Sequence, residues 1–241
     1  MSSSHRIEHD FLGERQLPDT AYYGIQTLRA LENFAITGIP INTEPLFVQA
    51  LAYVKKGAAL ANKELGVLAP AIADAIAAAC DRVASGEFDQ QFLTDMIQGG
   101  AGTSVNMNAN EVIANVALEI MGHAKGDYQY CHPNNHVNCS QSTNDAYPTA
   151  FRIALNNKLV GYRETLGALA ESFAQKGEEF RDVLKMGRTQ LQDAVPMSMG
   201  DEFRAFATNL REELLRIDDS RRLIDEINMG ATAIGSHHGV H

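Results

Sequence analysis

The chain has 241 residues, 45% of them hydrophobic, enough to bury a sizeable core in one or two domains. Its 20 Lys and Arg stand against 30 Asp and Glu, a formal net charge of -10. That balance argues against a nucleic-acid partner, which would call for a basic face, and any anionic substrate would need positive charge concentrated locally.

The first 45 residues read as irregular, punctuated by Gly13, Pro18, Gly24, Gly38 and Pro40. Within them Arg6–Leu12 fits a short strand, and Asp19–Gly24 fits the cap of a short helix or a turn. Arg15 and Arg29 flank this region and read first as solvated surface arginines. The N-terminus, Met1–Glu8, lacks the apolar core of a signal peptide, and no stretch is long and apolar enough to span a bilayer. Three cysteines, Cys80, Cys131 and Cys139, show no Cys-x-x-Cys spacing and read as reduced thiols. The expectation is a cytoplasmic protein with no membrane partner.

Periodicity then takes over. Phe47, Leu51, Val54, Ala58, Ala61 and Leu65 form a one-sided helical stripe stopped by Gly66. Pro70 opens a second helix with Ile72, Ile76, Cys80 and Val83 inside, ending at Ser85-Gly86. Gln98–Ser104 contains three glycines, and Thr103 or Ser104 would cap a helix over Val105–Met121. This stretch fits a tight turn and an anion-binding loop equally, but lacks the spacing of a P-loop or a dinucleotide fingerprint.

His123–Asn144 reads as loop. His132 and His136 lie four apart around Pro133, so they cannot share a regular helix face and do not read as a metal pair. Ser142, Thr143 and Asn144 then offer side-chain hydrogen bonds at a helix start, where backbone N–H groups are also free. That suits an N-cap and it suits a carboxylate site. Asn144 or Asp145 would cap the helix, with Pro148 in its first turn and Leu155, Leu159, Tyr162, Leu166, Leu169 and Phe173 as its inner face to about Gln175. Val183–Met186 is a short apolar link that fits a strand, and Gly187–Asp193 a polar loop. Pro196 would open a last helix through about Met229, roughly 50 Å long, with Met199, Phe203, Phe206, Leu210, Leu214, Ile217, Leu223 and Ile227 on its buried side. Two such helices imply a bundle with seams shared between subunits. The absence of βα alternation excludes a Rossmann or barrel fold.

Three polar loops, Thr103-Ser104, Ser142-Thr143-Asn144 and Thr189-Gln190, thus fall at or near predicted helix starts. At these loops the chain resembles the aspartase/fumarase superfamily, and within it the aspartases. The resemblance rests on Asp19–Gly24 with Thr27–Phe34, Gln98–Asn110, Ser140–Ala150 and Lys185–Met197, and extends over nearly all of residues 5–235. Gln190 stands where class II fumarases typically carry His.

The resemblance implies a mainly α fold: a small N-terminal domain over 1–144 in which short strands fit, then long antiparallel helices of an incomplete central bundle over 145–235, and a divergent His-rich tail over 236–241. It implies reversible elimination of ammonia from L-aspartate to give fumarate, in a homotetramer. Thr103, Ser142 and Thr143 would bind the β-carboxylate, Asn144 and Gln190 the amino group, and Thr189 the α-carboxylate. Arg29 and Arg188 would support them. No cofactor is expected to be required, Mg²⁺ would serve at most as an activator, and His237, His238 and His241 do not read as a designed metal site.

The family's base is a serine on a Gly-Ser-Ser-x-Met-Pro-x-Lys-x-Asn loop, and this chain contains no such loop. These residues alone are therefore expected not to deaminate aspartate. An incomplete or frameshifted coding sequence is the favoured explanation, before an inactive truncated product or a short paralogue that assembles with complete subunits. A class II fumarate hydratase and a non-catalytic assembly module are the alternative functions.

Overall fold

The computed structural model describes residues 4–232 and Gly235, so the tail carrying His237, His238 and His241 lies outside the described residues. The fold is mainly α, as expected, and divides into two compact units: residues 1–155 with 227–241, and residues 156–226. This division falls inside the helix that begins at Thr143, next to the helix start expected at Asn144 or Asp145.

The first unit opens with an antiparallel hairpin of β1 (His5–Asp10) and β2 (Gly13–Pro18), with Ile7 opposite Gln16 and Asp10 opposite Gly13. The expected strand is there, but the segment read as irregular supplies its partner. Gly13 has a positive φ of 105°, the conformation a glycine adopts without steric cost at a hairpin turn.

The expected cap or turn at Asp19–Gly24 is there, with Gly24 as the N-cap residue, but no side chain of that segment does the capping. Helix α1 (Ile25–Asn33) starts after it and has no local side-chain cap. Two distant carboxylates do that work instead. Glu111 accepts from the backbone N–H groups of Gly24, Gln26 and Thr27 at 2.8–3.0 Å and from Thr27 Oγ1 at 2.6 Å. Glu8 accepts from Ile25 N at 2.9 Å. The free N–H groups of a helix start favour negative charge, so two carboxylates satisfy what the local sequence leaves open. A Cβ at Gly24 would stand 2.8 Å from the Glu111 carboxyl carbon, which explains the glycine. Burial pushes the Glu111 carboxyl up to about 7, against the pull of its Thr27 and Gln26 donors.

Helices α2 (Pro45–Glu64) and α3 (Pro70–Ala84) both open on proline, as the sequence suggests. Phe47, Leu51 and Val54 are buried, but the rest of the α2 stripe is corrected. Ala61 and Leu65 are exposed, and Lys55, Ala59 and Asn62 are inside. The inner face runs from Leu51 in steps of four and then three, and an ideal helix has rotated away from Leu65 by then.

Helix α4 (Thr103–Ile120) is the centre of this unit: every residue from Asn108 to Leu118 is buried. Two of its buried asparagines are fully paired. Asn108 donates to Gln91 O and accepts from Leu93 N, while Asn115 donates to Tyr22 O and accepts from Gly126 N. The predicted loop 123–144 contains one π-helical turn, Pro133–Val137. Helix α5 (Thr143–Glu179) begins in this unit.

The second unit contains the remainder of α5, a hairpin of β3 (Leu184–Thr189) and β4 (Gln192–Ser198), and α6 (Met199–Ile224). Three expectations are corrected here. The polar loop Gly187–Asp193 is the hairpin itself, with Gln190 and Leu191 at its turn. Pro196 does not open a helix; it lies in β4 opposite Met186, allowed because both strands of a two-stranded ribbon are edges. Helix α6 starts at Met199, capped by Ser198 Oγ accepting from Gly200 N at 3.0 Å. It ends at Ile224, about 39 Å long rather than roughly 50 Å, and Leu223 and Ile227 are exposed. No helix among the described residues is long and apolar enough to cross a membrane.

Candidate functional site

Two of the three polar loops meet within the first unit. The loop before α4 winds through positive φ at Gly100, Ala101 and Gly102, and Gly102 is the N-cap residue. The expected cap at Thr103 or Ser104 is therefore corrected. Thr103 is the first helical residue and donates from Oγ1 to Gly100 O at 2.5 Å. Gln98 Oε1 takes over capping by accepting from Val105 N at 2.8 Å. A Cβ on Gly102 would run into the ring of Tyr147, from the first turns of α5. That ring is what fixes the distance between the glycine loop and the start of α5.

The second loop ends at α5, and its cap is Ser142 rather than Asn144 or Asp145. Ser142 Oγ accepts from Asn144 N at 3.2 Å, and Asp145 Oδ1 accepts in return from Ser142 N at 2.9 Å. This is a reciprocal capping box with Asp in the third helical position. Asp145 is fully buried, and its other oxygen accepts from Gly230 N at 3.1 Å. Asn144 is exposed, and its carbonyl accepts from Asn228 Nδ2 at 2.7 Å. Thr143 Oγ1 accepts from Asn106 Nδ2 at 3.1 Å. Asn106 lies one turn beyond Thr103 on α4, so it ties the two loops together a second time.

Beneath this junction lies a polar cluster that the sequence reading missed. Lys55 is completely buried in α2 and donates from Nζ to Asn138 Oδ1 at 2.8 Å and Gln141 Oε1 at 2.9 Å. Asn138 Oδ1 also accepts from Asn106 and Asn110. Burial pushes the Lys55 ammonium down to about 7, opposed by Cys80 and Asp145. A signal was available: Lys55 falls four residues after Leu51, on the apolar face of its own helix.

Arg29 is not a solvated surface arginine. It makes a two-pronged ion pair with Asp10, 2.7 Å from each carboxylate oxygen, and a further bond to Gly13 O. It clamps the β1–β2 hairpin to α1 and lines a cleft of about 490 Å³ with Gln26, Asn33, Phe34 and Ser104. Its charge is thus largely met by Asp10.

The third loop belongs to the second unit. Thr189 and Gln190 sit at the exposed end of the β3–β4 hairpin and not at a helix start. Arg188 is exposed and pairs with Asp193 at 3.0 Å.

Among the described residues no group of three or more His, Cys, Asp or Glu is placed to hold a metal. His132 and His136 use Nδ1 locally, accepting from Asn134 N and Asn135 N and from His132 N respectively. Both rings cap the π turn.

A family model described as Lyase matches residues 13–241. The chain is 59% identical over 239 residues to the aspartate ammonia-lyase of Pseudomonas canavaninivorans, covering 98% of this chain and 50% of the relative. It is 56% identical over 237 residues to the aspartate ammonia-lyase of Escherichia coli K12, again 98% of this chain and 50% of the relative. Among solved structures, fumarate lyase:delta crystallin from Brucella melitensis bound to cobalt superposes with a TM-score of 0.93 at 52% identity, covering 99% of this chain and 52% of the other. The chain spans about half the length of the curated relatives it matches.

Proposed function

The chain belongs to the lyase family, and from that premise we propose that it carries substrate-binding loops of an enzyme that eliminates ammonia from L-aspartate, reversibly, to give fumarate. The observation that supports this reading is the link between the two loops, Asn106 of α4 donating to Thr143 Oγ1 at 3.1 Å and Gly102 lying against the Tyr147 ring. It stands beside the 59% and 56% identity to two aspartate ammonia-lyases.

The chemistry explains why such a site is built from neutral donors. Removing a proton from the carbon beside the β-carboxylate builds further negative charge on oxygens that are already anionic. An intermediate of that kind, an aci-carboxylate, forms only where several donors strengthen their bonds as the charge grows. Thr103, Ser142 and Thr143 would take the β-carboxylate. Asn144 and Gln190 would hold the amino group and Thr189 the α-carboxylate. Arg29, through Asp10, and Arg188, through Asp193, would support the segments that present them. These residues bind and orient; none of them is assigned the base. The enzyme would act as a homotetramer in the cytoplasm, where its free cysteines would stay reduced. It would need no cofactor, with Mg²⁺ as an activator only.

The test is Thr143→Val in a polypeptide that holds both these loops and the base. Fumarate formation from L-aspartate should fall about 10²–10³-fold, the usual effect of losing one donor to a developing oxyanion. Unchanged turnover would remove Thr143 from the site. Malate offered in parallel separates this reading from a fumarate hydratase, which would release water from it.

A further inference from the structure

Lys55 is an unexpected residue for the inner face of α2. Enclosing an ammonium costs free energy that an apolar side chain of similar length would not. Among the described residues its hydrogen-bond partners are two neutral amide oxygens, those of Asn138 and Gln141. The facing charged or titratable groups are Cys80 from α3 and Asp145 from the start of α5. Core stability alone therefore gives no reason for a lysine.

The turn it holds does. Asn138 and Gln141 are the two ends of the turn immediately before Ser142, and one Nζ ties both. Around that tie, Asn138 Nδ2 donates to Gln141 O at 3.2 Å, and Gln141 Nε2 donates to Val137 O at 2.9 Å and Cys139 O at 3.1 Å. Asn106 Nδ2 bridges Asn138 Oδ1 and Thr143 Oγ1 at 3.0 and 3.1 Å. Both side-chain amides of the turn are thus tied to the lysine nitrogen, and Thr143 is linked to it through Asn106 and Asn138.

We infer that Lys55 is a positioning residue: its Nζ, by tying Asn138 to Gln141, fixes where the Ser142 and Thr143 hydroxyls stand. The role as a support for dicarboxylate binding rests on the function proposed above; the mechanical role does not.

The experiment is hydrogen–deuterium exchange of the whole chain without any ligand, comparing residues 137–146 with α3. In Lys55→Met the loop should exchange about tenfold faster or more, as expected when charge-assisted hydrogen bonds are lost, while α3 is unchanged or slower. A loop that exchanges as before, or one that accelerates by the same factor as α3, overturns the inference, the latter because it marks a merely structural lysine. Should Lys55→Met fail to fold, Gln141→Leu at a half-buried position removes one of the two acceptors. About a threefold rise confined to 137–146 is then expected, and no rise overturns the inference. With no ligand present, this measurement can fail while aspartate turnover stands, and Thr143→Val can fail while this one stands.

Discussion

The two units hold together by different means. The first buries large side chains, among them Leu51, Ile76, Phe92, Val105 and Leu118, and threads them with buried polar groups such as Lys55 and Glu111. In the second, every buried residue is small: Ala170, Gly177, Gly187, Gly200 and Ala207. Its two helical segments approach through glycine and alanine, and aromatic contacts join Phe173 to Phe203 and Phe206. Arg163 and Asp218, and Arg211 and Glu171, pair at its surface. Meanwhile Tyr162, Leu169, Leu184, Leu215 and Leu223 are exposed. Exposed ion pairs contribute little, so the second unit lacks the means by which the first stands alone.

The contrast breaks most severely at Glu111. Glu111→Ala leaves the N–H groups of Gly24, Gln26 and Thr27 and the Thr27 hydroxyl without their acceptor, all in or beside the core. The first unit should lose about 3–5 kcal/mol in urea unfolding. Amide exchange over α6 should not change. If α6 melts together with α4, the two units are one cooperative block and the comparison fails.

The mirror experiment lies at Gly200. A Cβ there would press into the carbonyl of Gly177 and stand 2.8 Å from the Arg181 Cα, both backbone atoms that cannot swing aside. Gly200→Ala should cost about 1–3 kcal/mol. The loss should appear as faster exchange over 172–181 and 199–210 and leave α4 untouched. An unchanged second unit would mean that the close approach of its helices does not hold it together.

The same contrast explains what could be read in advance. In the first unit helical period and proline starts located α2 and α3, because burial on one face leaves a pattern in the sequence. The helix starts that carry the candidate site were legible at Thr103 and at Ser142–Asn144 through their residue types, although Gly102 and Ser142 turned out to be the caps. Lys55 and Glu111 were not legible as struts. A lone charged residue reads as solvated, and only the fold brings it to Asn138 or to the start of α1. In the second unit the β3–β4 hairpin was hidden by its own composition. Gly187 suggested a loop, Pro196 suggested a helix start, and the turn residues Gln190 and Leu191 carry no Asn or Gly to announce a two-residue hairpin turn.

That turn gives the smallest and most pointed prediction. Gln190 and Leu191 have φ of 46° and 63°, a left-handed conformation that costs an L side chain about 1–2 kcal/mol per residue. Nothing in the hairpin offsets this, since the Leu191 side chain is fully exposed. Leu191→Gly should therefore stabilise the second unit by about 0.5–1 kcal/mol, the relief of strain exceeding the added freedom of the unfolded chain. The gain should appear as slower exchange over β3 and β4 only. Two strained, exposed residues at a hairpin tip support the proposal that the tip is kept to present Thr189 and Gln190. If Leu191→Gly instead loosens the hairpin, the leucine is structural within its own unit, and strain at the tip is no longer an argument for a site there.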